Sequence, residues 1–137
     1  LKEAASGVMY TGSYWLSAVP FAAAIATVTK LRELDGAKLM LAQGKKLTSG
    51  LREIGGAYGF DLRISGEPSM WFMRITNDDN LLLHQEWVAA CVRRGAFFTN
   101  HHNLFINCAL SDEDIGQTFA IAEDAFKTVK ERHPEIF

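Results

Sequence analysis

The chain has 137 residues, 48% apolar and 22% charged, with a net charge of −2. That is enough for one hydrophobic core, and the even spread of Lys, Arg, Asp and Glu excludes a basic nucleic-acid face or an acidic tail. Two cysteines, Cys91 and Cys108, both in apolar runs, exclude a disulfide scaffold and fit a reducing compartment.

No apolar stretch reaches membrane-spanning length, and no charged start leads into an apolar core with a cleavage site, so a cytoplasmic domain is expected, with neither membrane nor nucleic acid as partner. The opening Leu1-Lys2-Glu3 lacks an initiating Met and reads like the middle of a helix. A longer protein with residues upstream is the expectation.

The stretch Met9-Tyr10-Thr11-Gly12-Ser13-Tyr14-Trp15 presents hydroxyls and a bare glycine backbone just before Pro20-Phe21-Ala22-Ala23-Ala24-Ile25-Ala26-Thr27. A turn of this kind ahead of a Pro-started helix can hold an anion, because the first turn of a helix leaves its amides unpaired. A plain helix-leading turn is the alternative. The helix itself is expected from Pro20 to about Leu34, its first half heavily buried, with Asp35-Gly36 interrupting.

A second helix is expected from about Ala37 to Ala57, with Met40, Leu47, Leu51 and Ile54 on one face and Gly55, Gly56 and Gly59 at its end. Phe60, Leu62 and Ile64 alternate with polar residues, and Met70 to Ile75 is an apolar run after the turn Gly66-Glu67-Pro68. Two strands follow from this, the first half-exposed and the second more buried. Leu81 to Arg94 is expected as a helix ending at Gly95. Ala96-Phe97-Phe98 and Leu104 to Ala109 read as two more strands around the polar stretch Thr99 to Asn103. Ser111 caps a last helix with Asp112, Glu113 and Asp114 in its first turn; Ile115, Phe119, Ala122, Phe126 and Val129 form its stripe, and it stops near Pro134. The fold class is α+β, helices against a small, mostly antiparallel sheet.

Adjacent histidines on an extended loop point in opposite directions, so His101-His102 is read as a polar rim rather than a metal site, and no metal is expected. The acids at 112–114 already serve a helix start. Tyr14 and Trp15 follow the flexible turn and are open to a ligand or partner subunit, whereas most other aromatics, Trp71, Phe72, Trp87, Phe97 and Phe98 among them, read as core. No Ser-His-Asp order, phosphate loop or GxGxxG is present. The residues alone stop at an α+β domain with one suggestive turn.

The succession Gly12-Ser13-Tyr14-Trp15, Pro20 to Thr27, Arg93-Arg94-Gly95, His101 to Ile106 and Ala109 to Ile115 resembles the C-terminal part of class III pyridoxal-phosphate aminotransferases, closest to the glutamate-1-semialdehyde aminomutase-like branch. The resemblance implies residues 1–19 as the end of a large cofactor domain and 20–137 as a connecting helix and small domain, in a homodimer acting on a small-molecule amino donor and acceptor. It also implies that Gly12 and Ser13, standing where the family has Gly-Thr or Ser-Thr, contact the cofactor phosphate across the dimer, with Thr11 as the competing candidate. Tyr14, Trp15 and His101 are candidates for the substrate side.

The lysine that bonds to the cofactor lies upstream in that family, as do the partner of the pyridine nitrogen and the ring-stacking aromatic. None of Lys2, Lys30, Lys38, Lys45, Lys46, Lys127 and Lys130 has its Ser-Lys-Ala-like context. No catalytic residue is therefore expected in the chain, and alone it should be inactive. The other reading is a stand-alone interaction or small-ligand-binding α+β domain built on the core from Pro20 to His133.

Overall fold

The computed structural model describes residues 2–8, 12–14 and 17–136. A short helix α1 (Lys2–Ser6) precedes α2 (Ala18–Glu33) and α3 (Gly36–Ala57), then a hairpin of β1 (Leu62–Glu67) and β2 (Met70–Ile75), helix α4 (Leu82–Arg93), a two-residue strand β3 (Leu104–Phe105) and the long α5 (Asp112–Arg132). A single 3-10 turn, Pro134–Ile136, follows. The architecture is α+β, as expected: one antiparallel sheet in the order β1-β2-β3, with α3 and α4 against it and α5 packed on those two helices.

The hairpin register pairs Leu62 with Ile75, Ile64 with Met73 and Gly66 with Trp71. Side chains alternate across a strand, so this register lines up one apolar face and turns the Arg63–Arg74 and Glu67–Met70 pairs outward. β1 runs through Glu67, which moves the connecting turn to Pro68 and Ser69, one step later than expected. Gly66 has φ of +91°, and a Cβ there would lie 2.7 Å from the Met70 carbonyl oxygen; only glycine fits.

Trp87 of α4 is the centre of the core. Its ring lies 4.9 Å from both Phe98 and Phe126, and its Nε1 donates to the Ala122 carbonyl of α5 at 3.3 Å, so the largest buried side chain also satisfies its one polar group. Leu47 and Leu51 of α3, Trp71 and Met73 of β2, and Ile115, Ala122 and Val129 of α5 close around it. The expected stripes of α3 and α5 thus face this core, with Met40, Ile54 and Phe119 half-buried at its edge.

Helix ends follow local chemistry. At α5 the Ser111 hydroxyl accepts from the Asp114 amide at 3.1 Å while the Asp114 carboxylate accepts from the Ser111 amide at 2.8 Å, a complete capping box. Gly95, at φ of +102°, ends α4, and Arg94 ties that end to α5 through the Ala90 carbonyl, Asp124 and Thr128.

Three expectations change. Every residue from Ala18 to Lys30 of α2 is exposed, including Val19, Phe21, Ile25 and Val28, where a buried first half was expected. The helix carries no charge before Lys30 and so is apolar all round, yet among the described residues it packs chiefly on α3; its sequence anticipates a cover that the described residues do not supply. Ala96–Phe98 forms no strand, and the run Leu104 to Ala109 contributes only Leu104 and Phe105, because the chain leaves the sheet after Ile106 donates to the Ser69 carbonyl. Phe97, expected in the core, is 79% exposed.

Candidate functional site

The candidate anion contact expected from the sequence lies at the N-terminal end of α2. Ser17 sits at the N-cap in extended conformation, and its side chain accepts no capping bond. The amides of Ala18 and Val19 are in the first turn, where an α-helix offers no internal acceptor, and Pro20 contributes no N–H at all. The Ser17 amide donates to the Tyr14 carbonyl at 3.1 Å, and Gly12 and Ser13 are exposed. Thr11 and Trp15 lie outside the described residues. Tyr14 is 80% exposed, with its ring free of the core.

The positive end of a 16-residue helix, whose first-turn amides have no acceptor within the helix, attracts an anion. No lysine or arginine lies between Ser13 and Lys30, and Lys30 itself pairs with Glu33 at 3.2 Å.

His101 is exposed in the 99–103 loop. Its Nε2 lies 3.2 Å from the Asn100 amide nitrogen, and Thr99 donates to the His102 carbonyl at 2.8 Å, which folds the loop on itself. Below it, His84 is fully buried and stacked on Trp87 with both ring nitrogens unpartnered. Burial holds its pKa below the usual histidine range; Asp78 opposes that shift and His101 adds to it. No hydrogen bond or ion pair joins this loop to Gly12–Tyr14 among the described residues.

None of the seven lysines is buried: six are exposed and Lys130 is half-buried. A lysine that attacks an aldehyde is activated by desolvation or a neighbouring cation, and Lys46 instead sits 2.8 Å from Asp112 on the surface. No group of three or more His, Cys, Asp and Glu side chains suited to a metal occurs among the described residues.

Two concave features escaped the sequence reading. A groove of about 500 Å³ runs between α2 and the stretch Ile106–Cys108, walled by Leu31, Leu34 and Met40. A cleft of about 330 Å³ opens between Phe97, Phe98, β3 and the first turns of α5, with Trp71 at its floor. The Trp71 Nε1 is buried and without a partner, which costs on the order of 1–3 kcal/mol. The odd placement of two adjacent phenylalanines after a helix-ending glycine was the available signal, since only one of a consecutive pair can face the core in extended chain.

No family model matches the chain. Among curated proteins, the aminopentol aminotransferase of Sphingopyxis macrogoltabida is 32% identical over 128 residues, which is 93% of this chain and 30% of that protein. Among solved structures, the FumI protein of Sphingopyxis sp. MTA144 in its PLP internal aldimine form matches with a TM-score of 0.87 and 31% identity, over 96% of this chain and 32% of that one. The chain spans about a third of the length of these relatives, and it shares their fold over nearly its whole extent.

Proposed function

We propose that this chain is the C-terminal portion of a pyridoxal-phosphate-dependent aminotransferase of class III, in the branch that includes glutamate-1-semialdehyde aminomutase. The parent enzyme moves an amino group between small-molecule donor and acceptor and works as a homodimer. The observation that carries this reading is the match to an aminotransferase-named relative and a PLP-bound neighbour over 93% and 96% of the chain. The order of the Gly12-Ser13, Arg93-Arg94-Gly95 and His101-His102 motifs supports the class.

Pyridoxal phosphate, when bound, supplies the electron sink for the amine chemistry. In this chain the residues fit its phosphate and not its aldehyde. The Ser13 hydroxyl and the Ala18 and Val19 amides would hold the phosphate, with Gly12 allowing its close approach and Thr11 as a further hydroxyl. The exposure of the lysines agrees with a reactive lysine carried elsewhere in the parent, so this portion alone transfers no amino group. Residues 1–19 would close the cofactor domain, α2 would connect, and the core from α3 onward would be the small domain. Tyr14, Trp15 and His101 remain the substrate-side candidates.

One observation favours a second reading, an independently folding binding domain: the core closes entirely between Leu47 and Val129 without any residue of α2. The uncovered apolar surface of α2 counts against it, since a domain evolved to stand alone would bury or charge that helix. The experiment is borohydride reduction of the purified chain in the presence of pyridoxal phosphate, followed by mass spectrometry. No pyridoxyl adduct is expected beyond nonspecific surface labelling. A single stoichiometrically modified lysine with a matching absorbance band would overturn the proposal.

A further inference from the structure

The free side of β3 is an unfilled position in the sheet. Ile106 donates to the Ser69 carbonyl at 3.0 Å, in the same register that places Phe105 opposite Met70 and Leu104 opposite Trp71. Hydrogen-bonded and non-hydrogen-bonded pairs alternate along an antiparallel ladder, so the N–H and C=O of Phe105 point away from β2, off the edge. Across the cleft, Phe97 and Phe98 lie outside any helix or strand, and their backbone amides and carbonyls make no hydrogen bond within the described chain, although Phe98 is buried. Phe97 and Phe105 expose their rings on the two rims, 79% and 61%, and the floor between them is Trp71 with its unpartnered indole N–H.

An exposed sheet edge, a second run of unpaired backbone and an apolar cleft between them match the chemistry of an added β-strand. We infer that an extended segment from the part of the aminotransferase polypeptide that this chain does not span lodges in this cleft, pairs with Phe105 and with Phe97–Phe98, and places an apolar side chain over Trp71. The source rests on the aminotransferase reading: two thirds of the length of the relatives has no counterpart here and can supply the strand. A second copy of this chain fits less well. Two β3 edges pairing with each other would satisfy Phe105 and leave Phe97 and Phe98 unpaired.

The test is amide hydrogen exchange at Phe97, Phe98 and Phe105. In the isolated chain all three should exchange at unprotected rates at every protein concentration. Protection in dilute solution would show an intramolecular partner and overturn the inference; protection that grows with concentration would make a second copy the occupant and overturn it equally. These outcomes hold whatever happens to the second arm, a chimera in which this chain replaces the matching third of the FumI protein. There, exchange at the three amides should slow at least a hundredfold, and Phe105→Pro, which removes the outward-facing donor and the rim ring but no bond to β2, should restore fast exchange at Phe97 and Phe98. Cofactor retention by the chimera separates the two proposals. Retained cofactor with unprotected amides sinks the strand and leaves the aminotransferase reading intact; protected amides without cofactor do the reverse.

Discussion

Gly44 of α3 lets the hairpin turn rest directly on the helix backbone, and its replacement by alanine gives a signed, quantitative prediction. A Cβ at position 44 would overlap the Pro68 carbonyl group and come within 3.1 Å of the Ser69 amide. Both neighbours are backbone, so no rotamer change relieves the contact and the whole turn must move. Ser69 also accepts from Ile106, so that motion pulls on β3 as well. Overpacking of this kind costs about 1–3 kcal/mol, and the rigid backbone on both sides places it at the upper end. Alanine returns about 1 kcal/mol of helix propensity, leaving a net loss of about 2 kcal/mol. An unfolding entropy of roughly 2.1 cal/mol/K per residue then converts this to a drop in Tm of about 7 °C.

Gly56→Ala in the same helix is the internal control, because nothing lies within 4 Å of its added methyl. It should gain up to about 1 kcal/mol, or roughly 3 °C. Thermal unfolding followed by circular dichroism and urea titration on both variants decide the matter. A Gly44→Ala protein as stable as Gly56→Ala would refute the placement of the turn on α3.

Ser111→Ala removes the capping box of α5 and should cost about 1 kcal/mol in urea titration, while Ser13→Ala, exposed and uncapped, should leave stability unchanged. The His133 Nε2 lies 2.7 Å from Glu86, whose carboxylate raises the histidine above its usual pKa; the histidine and Arg132 hold Glu86 below its own. The histidine's contribution is complete below its unfolded value of 6.5 and lost as pH rises through the raised value, while that of Glu86 is complete above 4.5 and lost as pH falls through the lowered one. The pair therefore acts most strongly between these two ordinary values. NMR titration should show Glu86→Gln returning His133 toward ordinary behaviour, and an unmoved titration would break the pairing. Bulk stability is a poorer readout, because buried His84 titrates with the opposite sign. Burial pushes the Cys91 thiol up to about 12, so a thiol reagent at pH 8 should label half-buried Cys108 first and reach Cys91 only on unfolding. Equal labelling rates in the native protein would contradict the packing of α4.

Everything that depends on neighbours in the chain was readable from residues alone. Ser111 and Asp114 stand three apart and cap α5; Gly95 follows Arg94 and ends α4; the alternation from Phe60 to Ile64 and the apolar run to Ile75 make the hairpin. These features arise from local hydrogen bonds and side-chain periods, which a linear sequence carries.

Burial without periodic contrast was not readable. An all-apolar α2 states that it will be covered and not by what, and the structure leaves it bare because its partner surface is absent from residues 17–136. Likewise two adjacent phenylalanines look equally core-like until the fold turns Phe98 onto Trp87 and Phe97 to solvent. Whether Ala96–Phe98 and β3 pair with each other or flank a cleft depends on where α5 and the Trp71 side chain place them. Sequence thus determined the long helices, the α5 cap, the hairpin and the α+β class, because those are short-range; only the tertiary structure decided that Ala96–Phe98 stays out of the sheet and which apolar surfaces stay open, because that depends on long-range packing.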